Sequence, residues 1–143
     1  MTRDTITKHM MFEPLLAADP SFLPRWNDWR EDYGEEPEPL YYLALASLAQ
    51  HVLDKIAAKD IANLDKIFAL VEAWHIDGDT YVQQAATVGF LEALQNHLSH
   101  RDDYESLTLA VEPWLQPQSK RWWDKLNRFW EGDIRALRNE DSQ

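Results

Sequence analysis

Apolar residues recur every three or four positions along most of the chain, and no segment alternates with period two. The pattern therefore predicts helices and no sheet. Residues 40–58 are apolar almost all round, which predicts a central helix covered on several sides, and Pro37 and Pro39 mark its approach. Leu64, Ile67, Phe68, Val71 and His75 share one face of the next helix, with Asp60 as its expected cap, an end near Ile76 and Gly78 as its stop. A further helix is expected from 80 to 98. Thr80 and Gln83 have capping-box spacing there, and Asp79 competes for the cap. Residues 4–18, a short segment from Ser21, 103–111 and 119–131 read as the remaining helices.

The pattern also repeats. "VEAW" at 71–74 returns as "VEPW" at 111–114, 40 residues on. In that register Leu64, Ile67, Val71 and Trp74 align with Tyr104, Leu107, Val111 and Trp114. After the turn, Asp79 aligns with Ser119 as a cap, and Val82, Ala86, Gly89 and Phe90 align with Trp122, Leu126, Phe129 and Trp130. Helical hairpins of about 40–47 residues are the period of HEAT and armadillo repeats. The expected fold is all-α: seven to eight helices stacked as antiparallel hairpins in a short HEAT/armadillo-like α-solenoid. Residues 1–143 are expected to form one domain, with hairpins at about 21–59, 61–98 and 101–131 and terminal capping helices. The register also bears on the segment "SKRWWDKLNRFW" at 119–130, whose Trp122, Trp123, Leu126, Phe129 and Trp130 fall within an arc of about 120° on a helix. They are expected to be core, with Trp122, Leu126 and Trp130 mostly buried, and Arg121, Lys125 and Arg128 on a flank.

Composition narrows the function. A chain of 143 residues without cysteine has no disulfide, no thiolate zinc site and no cysteine nucleophile. The N-terminus lacks an apolar run of signal-peptide length, and the longest apolar run is only about half a membrane span. A soluble, cytoplasmic protein away from membranes is expected. The net charge of −11 is uneven: residues 1–117 carry 8 Lys and Arg against 20 Asp and Glu, and residues 118–143 carry 6 against 5. Most of the molecule would repel a polyanion, so no nucleic-acid partner is expected.

Few residues propose chemistry. His97 and His100, with Asp102 and Asp103 after them, and His75 with Asp77 and Asp79, have spacings that a metal could use, but no HExxH or second fixed pair accompanies them. Glu72, Glu92 and Glu112 recur at 20-residue intervals, none with a His three residues on, and are expected to cap, pair or face solvent. GxSxG and a phosphate loop are missing. No catalytic residue, cofactor or metal is expected. Gly89, inside a helix, is expected to allow a close approach by a neighbour.

The stretch "RWNDWREDYGEEPEPLYY" at 25–42 remains. Asp28, Glu31, Asp32, Glu35, Glu36 and Glu38 are offset by Arg25 and Arg30 only, and Trp26, Trp29 and Tyr33 run among them. The stretch reads either as an end-capping helix with a solvated acidic linker or as an acidic-aromatic surface for a basic partner. In the second reading those nine acidic and aromatic residues bind the partner.

"ATVGFLEALQN" at 86–96 and "SKRWWDKLNRFW" resemble two blocks of small all-helical bacterial proteins catalogued as a domain of unknown function, over roughly residues 40–131. Such proteins resemble the helical immunity proteins that accompany bacterial toxins. The resemblance implies a non-catalytic binding protein, a monomer or small oligomer, that neutralises a basic toxin. The alternative is a generic helical-repeat adaptor that takes a protein or peptide in its groove.

Overall fold

The computed structural model describes residues 5–36 and 40–130, with the side chain of Trp130 outside it. A 3-10 turn, Lys8–Met10, leads into α1, Phe12–Ala18. A second 3-10 turn, Pro20–Phe22, opens α2, Leu23–Tyr33. Then come α3, Tyr41–Ala57, and α4, Leu64–Asp77. The following helix is continuous but changes pitch: α5, Thr80–Gln84, passes through a π-helical stretch, Ala85–Leu91, into α6, Glu92–Ser99. The chain closes with α7, Tyr104–Val111, a 3-10 turn, Glu112–Trp114, and α8, Pro117–Trp130. Among the described residues the only β contact is an isolated bridge between Ile6 and Gly78, so the all-helical class holds. The expected helix over 4–18 is shorter, and residue 4 lies outside the described residues.

The apolar core is contiguous from Met11 to Leu126. As its all-round apolar sequence predicts, α3 is central: α2, the π-helical stretch, α6 and α7 all pack on it, and α4 packs on α1, α5 and α8. Gly89 does what its position suggests. A Cβ there would stand 2.8 Å from Leu45 Cδ1, so the glycine lets α3 and the π-helical stretch come together.

Three local expectations are corrected. Asp60 closes α3 and does not cap α4. Lys59 takes a left-handed conformation (φ 61°), its N–H bonds to the Ile56 carbonyl and the Asp60 N–H to the Lys55 carbonyl, which is a Schellman ending built without glycine. The Asp60 carboxylate then serves Ala62 N–H and the Lys55 ammonium, each at 3.2 Å, and α4 starts only at Leu64. At the next turn Asp79 wins the contest for the cap: its carboxylate accepts from Val82 N–H at 2.9 Å, and Gln83 donates to the Gly78 carbonyl.

Ser119, aligned with Asp79 as a cap, is the second correction. It sits inside the first turn of α8 with no exposure, and its own N–H is bonded by a carboxylate of α4, Glu72. This anchor explains the third. With Ser119 facing the core, Trp123 and Leu126 lie within about 40° of its direction, whereas Trp122 is about 60° away and Phe129 about 80°. Trp123 and Leu126 are accordingly buried, and Trp122 and Phe129 are half-buried. The core indole is Trp123, not Trp122. Trp130 shares the core direction, but its side chain lies outside the described residues. On the flank, Lys125 is buried, with its ammonium 4.7 Å from the centre of the Trp122 ring.

The 40-residue register is uneven in depth. Leu64, Ile67, Val71 and Trp74 are all buried, but of their counterparts only Leu107 and Val111 are. Tyr104 is 49% exposed and Trp114 half-buried, because α7 ends at Val111 and Pro113 tightens the next turn to 3-10.

Candidate protein-binding surface

The acidic-aromatic stretch forms α2 and the turn after it, and two sets of contacts fix its position. At the start of α2, the buried Asp19 carboxylate accepts from the Ser21 N–H and hydroxyl, lies 3.0 Å from His51 Nε2 of α3, and is reached by Asn63 at 3.4 Å. Burial pushes the Asp19 carboxyl upward, but the hydrogen bonds from Ser21, His51 and Asn63 outweigh it and hold it below the usual carboxylate range. One turn on, Arg25 pairs with Asp54 of α3 at 2.9 Å.

Aromatic rings form the seat beneath α2. Phe12, Trp26, Trp29 and Tyr41 make a ring of stacked contacts with centroids 4.7 Å (Phe12–Trp26), 4.9 Å (Trp26–Trp29), 5.5 Å (Trp29–Tyr41) and 5.3 Å (Phe12–Tyr41) apart. Trp29 is buried, and its indole donates to the Leu40 carbonyl at 3.0 Å. Trp29 is therefore the floor of this surface, whereas Trp26 and Tyr33 are half-buried and reach its edges.

The carboxylates behave differently. Asp28, Glu31, Asp32, Glu35 and Glu36 are all exposed, and none of their side chains makes an ion pair or hydrogen bond among the described residues. Glu38 lies outside the described residues. Glu31 and Asp32 occupy the last turn of α2, where the helix dipole disfavours negative charge, and Asp28 and Asp32 are like charges at i, i+4. Two shallow grooves flank the helix. One, about 540 Å³, has Trp26, Trp29 and Tyr41 below Glu31, Glu35 and Arg30. The other, about 250 Å³, has Tyr33 and Leu43 beside Asp28 and Asp32. Arg25 lines the second groove, but its charge is already paired with Asp54.

Sequence reasoning missed a second polar cluster. Glu72 Oε1 accepts from Ser119 N–H at 2.9 Å and from Ser119 Oγ at 3.0 Å, and its Oε2 accepts from Gln118 N–H at 2.8 Å. His75 Nδ1 lies 3.0 Å from the Val71 carbonyl and 3.3 Å from Ser119 Oγ, and its Nε2 lies 3.0 Å from Thr87 Oγ1. Burial lowers the His75 pKa to about 4, against smaller raising effects of the Val71 carbonyl and Glu72, so the ring is neutral at pH 7. With Nδ1–H donating toward Val71 and Ser119 and the Ser119 hydroxyl donating to Glu72, Nε2 shares the Thr87 hydroxyl proton with the Gln83 carbonyl 3.3 Å from that oxygen. Hydroxyl, imidazole and carboxylate are present, but Ser119 has no exposure and the carboxylate bonds the serine rather than the ring. The cluster is a clasp between α4, the π-helical stretch and α8, not a nucleophile within reach of a substrate. The one signal in the sequence was the spacing of the three glutamates. Glu112 accepts from the Trp123 indole at 3.1 Å, so two of the three bind α8.

The histidines first weighed as ligands do not converge. His100 Nδ1 turns to the Asn96 carbonyl at 2.8 Å, and Arg101 engages Asp103 at 2.9 Å. Among the described residues no group of three or more His, Asp or Glu side chains is placed to hold a metal. No described helix is long and apolar enough to cross a membrane.

No curated protein and no solved structure matches this chain. A family profile does match, over residues 12–131, from the seat of α2 to the end of α8: the chain belongs to DUF7674, a domain of unknown function.

Proposed function

We propose that the chain is a non-catalytic, cytoplasmic binding protein that captures a basic protein on the acidic surface of α2, in the manner of an immunity protein neutralising a basic bacterial toxin. The observation that carries the proposal is the state of the acids. Five carboxylates stand exposed around the C-terminal half of α2 with no ion pair or hydrogen bond among the described residues, over a fixed aromatic floor. Charge so placed steers a cationic partner, and the half-buried Trp26 and Tyr33 supply apolar contact at its edges. In this proposal the hairpins α2–α3, α4–α6 and α7–α8 are a short HEAT-like stack whose N-terminal end presents α2. The resemblance to helical immunity proteins points the same way.

The test uses the product of the adjacent gene as the candidate partner and measures association at low and high salt. Wild-type protein should bind one to one, with an on-rate that falls steeply as salt rises. Reversing Asp28, Glu31 and Asp32 to Lys should slow association several-fold at low salt without altering the circular-dichroism spectrum. Unchanged kinetics in the charge-reversed protein would refute the acidic surface.

A further inference from the structure

We infer that a third groove, on the flank where α5 and the π-helical stretch meet α8, docks an uncharged, extended peptide segment of another protein. The groove has a volume of about 570 Å³, within the roughly 300–1,000 Å³ of ordinary ligand sites. It is distinct from the α2 surface and does not depend on it.

Its lining selects the ligand. Not one Asp, Glu, Lys or Arg lines it, in a chain where 27% of residues are charged. His75 at its base is neutral, with both ring nitrogens engaged in the clasp. A charged group entering would lose hydration and meet no counter-charge, so the site disfavours ions, phosphates and nucleic acid. Polar groups remain for an amide. Thr80 and Gln84 make no side-chain hydrogen bond among the described residues, and Gln83 uses its amide nitrogen on the Gly78 carbonyl, which leaves its oxygen. A carboxamide offers both a donor and acceptor, which is what a peptide backbone requires. Val88, 44% exposed, and the half-buried Trp122 supply the apolar edge.

The shape favours a chain over a compact ligand. Thr80, Gln83, Gln84, Thr87 and Val88 recur at three- and four-residue steps, a stripe somewhat under the roughly 12 Å that an α-helical rise of 1.5 Å per residue would give, because the helix is π-helical from Ala85. An extended strand covers that length with between three and four residues at about 3.3 Å each. A sugar ring would need an open aromatic face, yet Trp122 is half-buried and carries the Lys125 ammonium on one face.

The test is a two-dimensional amide NMR titration of the full chain. The probe is the capped tripeptide acetyl-Leu-Ser-Leu-amide. Controls carry Lys or Glu in place of its Ser, and methyl α-glucoside stands for the saccharide alternative. The capped peptide should shift the amides of Gln84, Thr87 and Val88 and the Trp122 indole N–H, and the controls should not. Gln84→Ala should weaken binding about three- to tenfold through a lost hydrogen bond, and Val88→Glu should abolish it by placing a charge in the groove. Both side chains are exposed, so neither variant threatens the fold. No shift at the groove, equal shifts from the charged peptides or the glucoside, or full affinity in Gln84→Ala would overturn the inference.

Discussion

Removing one buried carboxylate should detach α8 from the body of the protein. Glu72 lies in α4 and is buried, and it accepts three hydrogen bonds from the first turn of α8: two backbone N–H groups and the Ser119 hydroxyl. Those N–H groups have no intrahelical partner, and a negative charge beside them also suits the positive end of the helix dipole. Glu72→Ala leaves three donors without an acceptor, two of them on Ser119, which has no exposure at all. Each orphaned buried donor costs about 1–3 kcal/mol, so the loss should be roughly 3–5 kcal/mol after partial repair by water. Against a total stability of about 5–15 kcal/mol for an ordinary domain that is severe. Urea unfolding followed by tryptophan fluorescence measures it: with a slope of about 2 kcal/mol per molar, the midpoint should fall by about 2 M. Glu72→Gln keeps one acceptor oxygen and should lose less, and Ser119→Ala, which removes one bond, should lose about 1 kcal/mol. Hydrogen exchange of the α8 amides locates the effect. A loss below about 1 kcal/mol in Glu72→Ala, with α8 amides exchanging no faster, would show that α8 is held by apolar packing alone.

Trp123→Ala should cost about 3–5 kcal/mol, and Trp122→Ala clearly less, because Trp123 is buried on the anchored side of α8 while Trp122 is half-buried; equal losses would contradict the register set by Ser119. His75 has a folded pKa of about 4 against an ordinary 6.5, so the unfolded chain takes up the proton first. Its contribution, about 3 kcal/mol at one pKa unit per 1.36 kcal/mol, is present above about pH 6.5 and is lost as pH falls toward 4. Unfolding free energies measured across that range should flatten in His75→Asn. The Asp19 carboxyl, held below its ordinary 3.8, acts in the acid window beneath that of His75, its stabilisation lost only as pH falls below that value. Asp19→Asn should therefore weaken the protein by about 1–3 kcal/mol at neutral pH, read from the urea midpoint. Lys at Asp28, Glu31 and Asp32 should leave the melting temperature unchanged or raised, because it removes like-charge repulsion and suits the helix C-terminus.

What could be read from the sequence divides along a physical line. Helix positions follow from apolar spacing, which is local, and the central place of α3 follows from its all-round apolar surface. Cap choice and helix rotation did not follow: the first was settled by the backbone conformation of a neighbouring residue, the second by a partner far along the chain. Asp60 looks like an N-cap until Lys59 adopts a left-handed conformation and hands it to the end of α3. An arc of five apolar residues in α8 leaves its rotation open by tens of degrees, and a glutamate 47 positions away decides it. The acidic stretch was legible as composition. Its division into a buried floor, Trp29, and exposed unpaired acids needed the aromatic seat, to which Phe12 contributes from outside the stretch.

Two sets of acids among the described residues differ in what they touch, and the contrast bears on function more directly than the net charge does. Asp19, Asp54, Asp60, Glu72, Asp79 and Glu112 each serve a donor or cation within the fold: a turn, an ion pair, a helix start or an indole. Asp28, Glu31, Asp32, Glu35 and Glu36 make no ion pair or hydrogen bond among the described residues, and two of them oppose the dipole of their own helix. Folding alone gives no reason for that concentration, and solubility would be met as well by acids spread over the surface. In the proposed reading, charges that work against local stability, gathered on one fixed helix beside half-buried aromatic rings, are held there for a cationic partner.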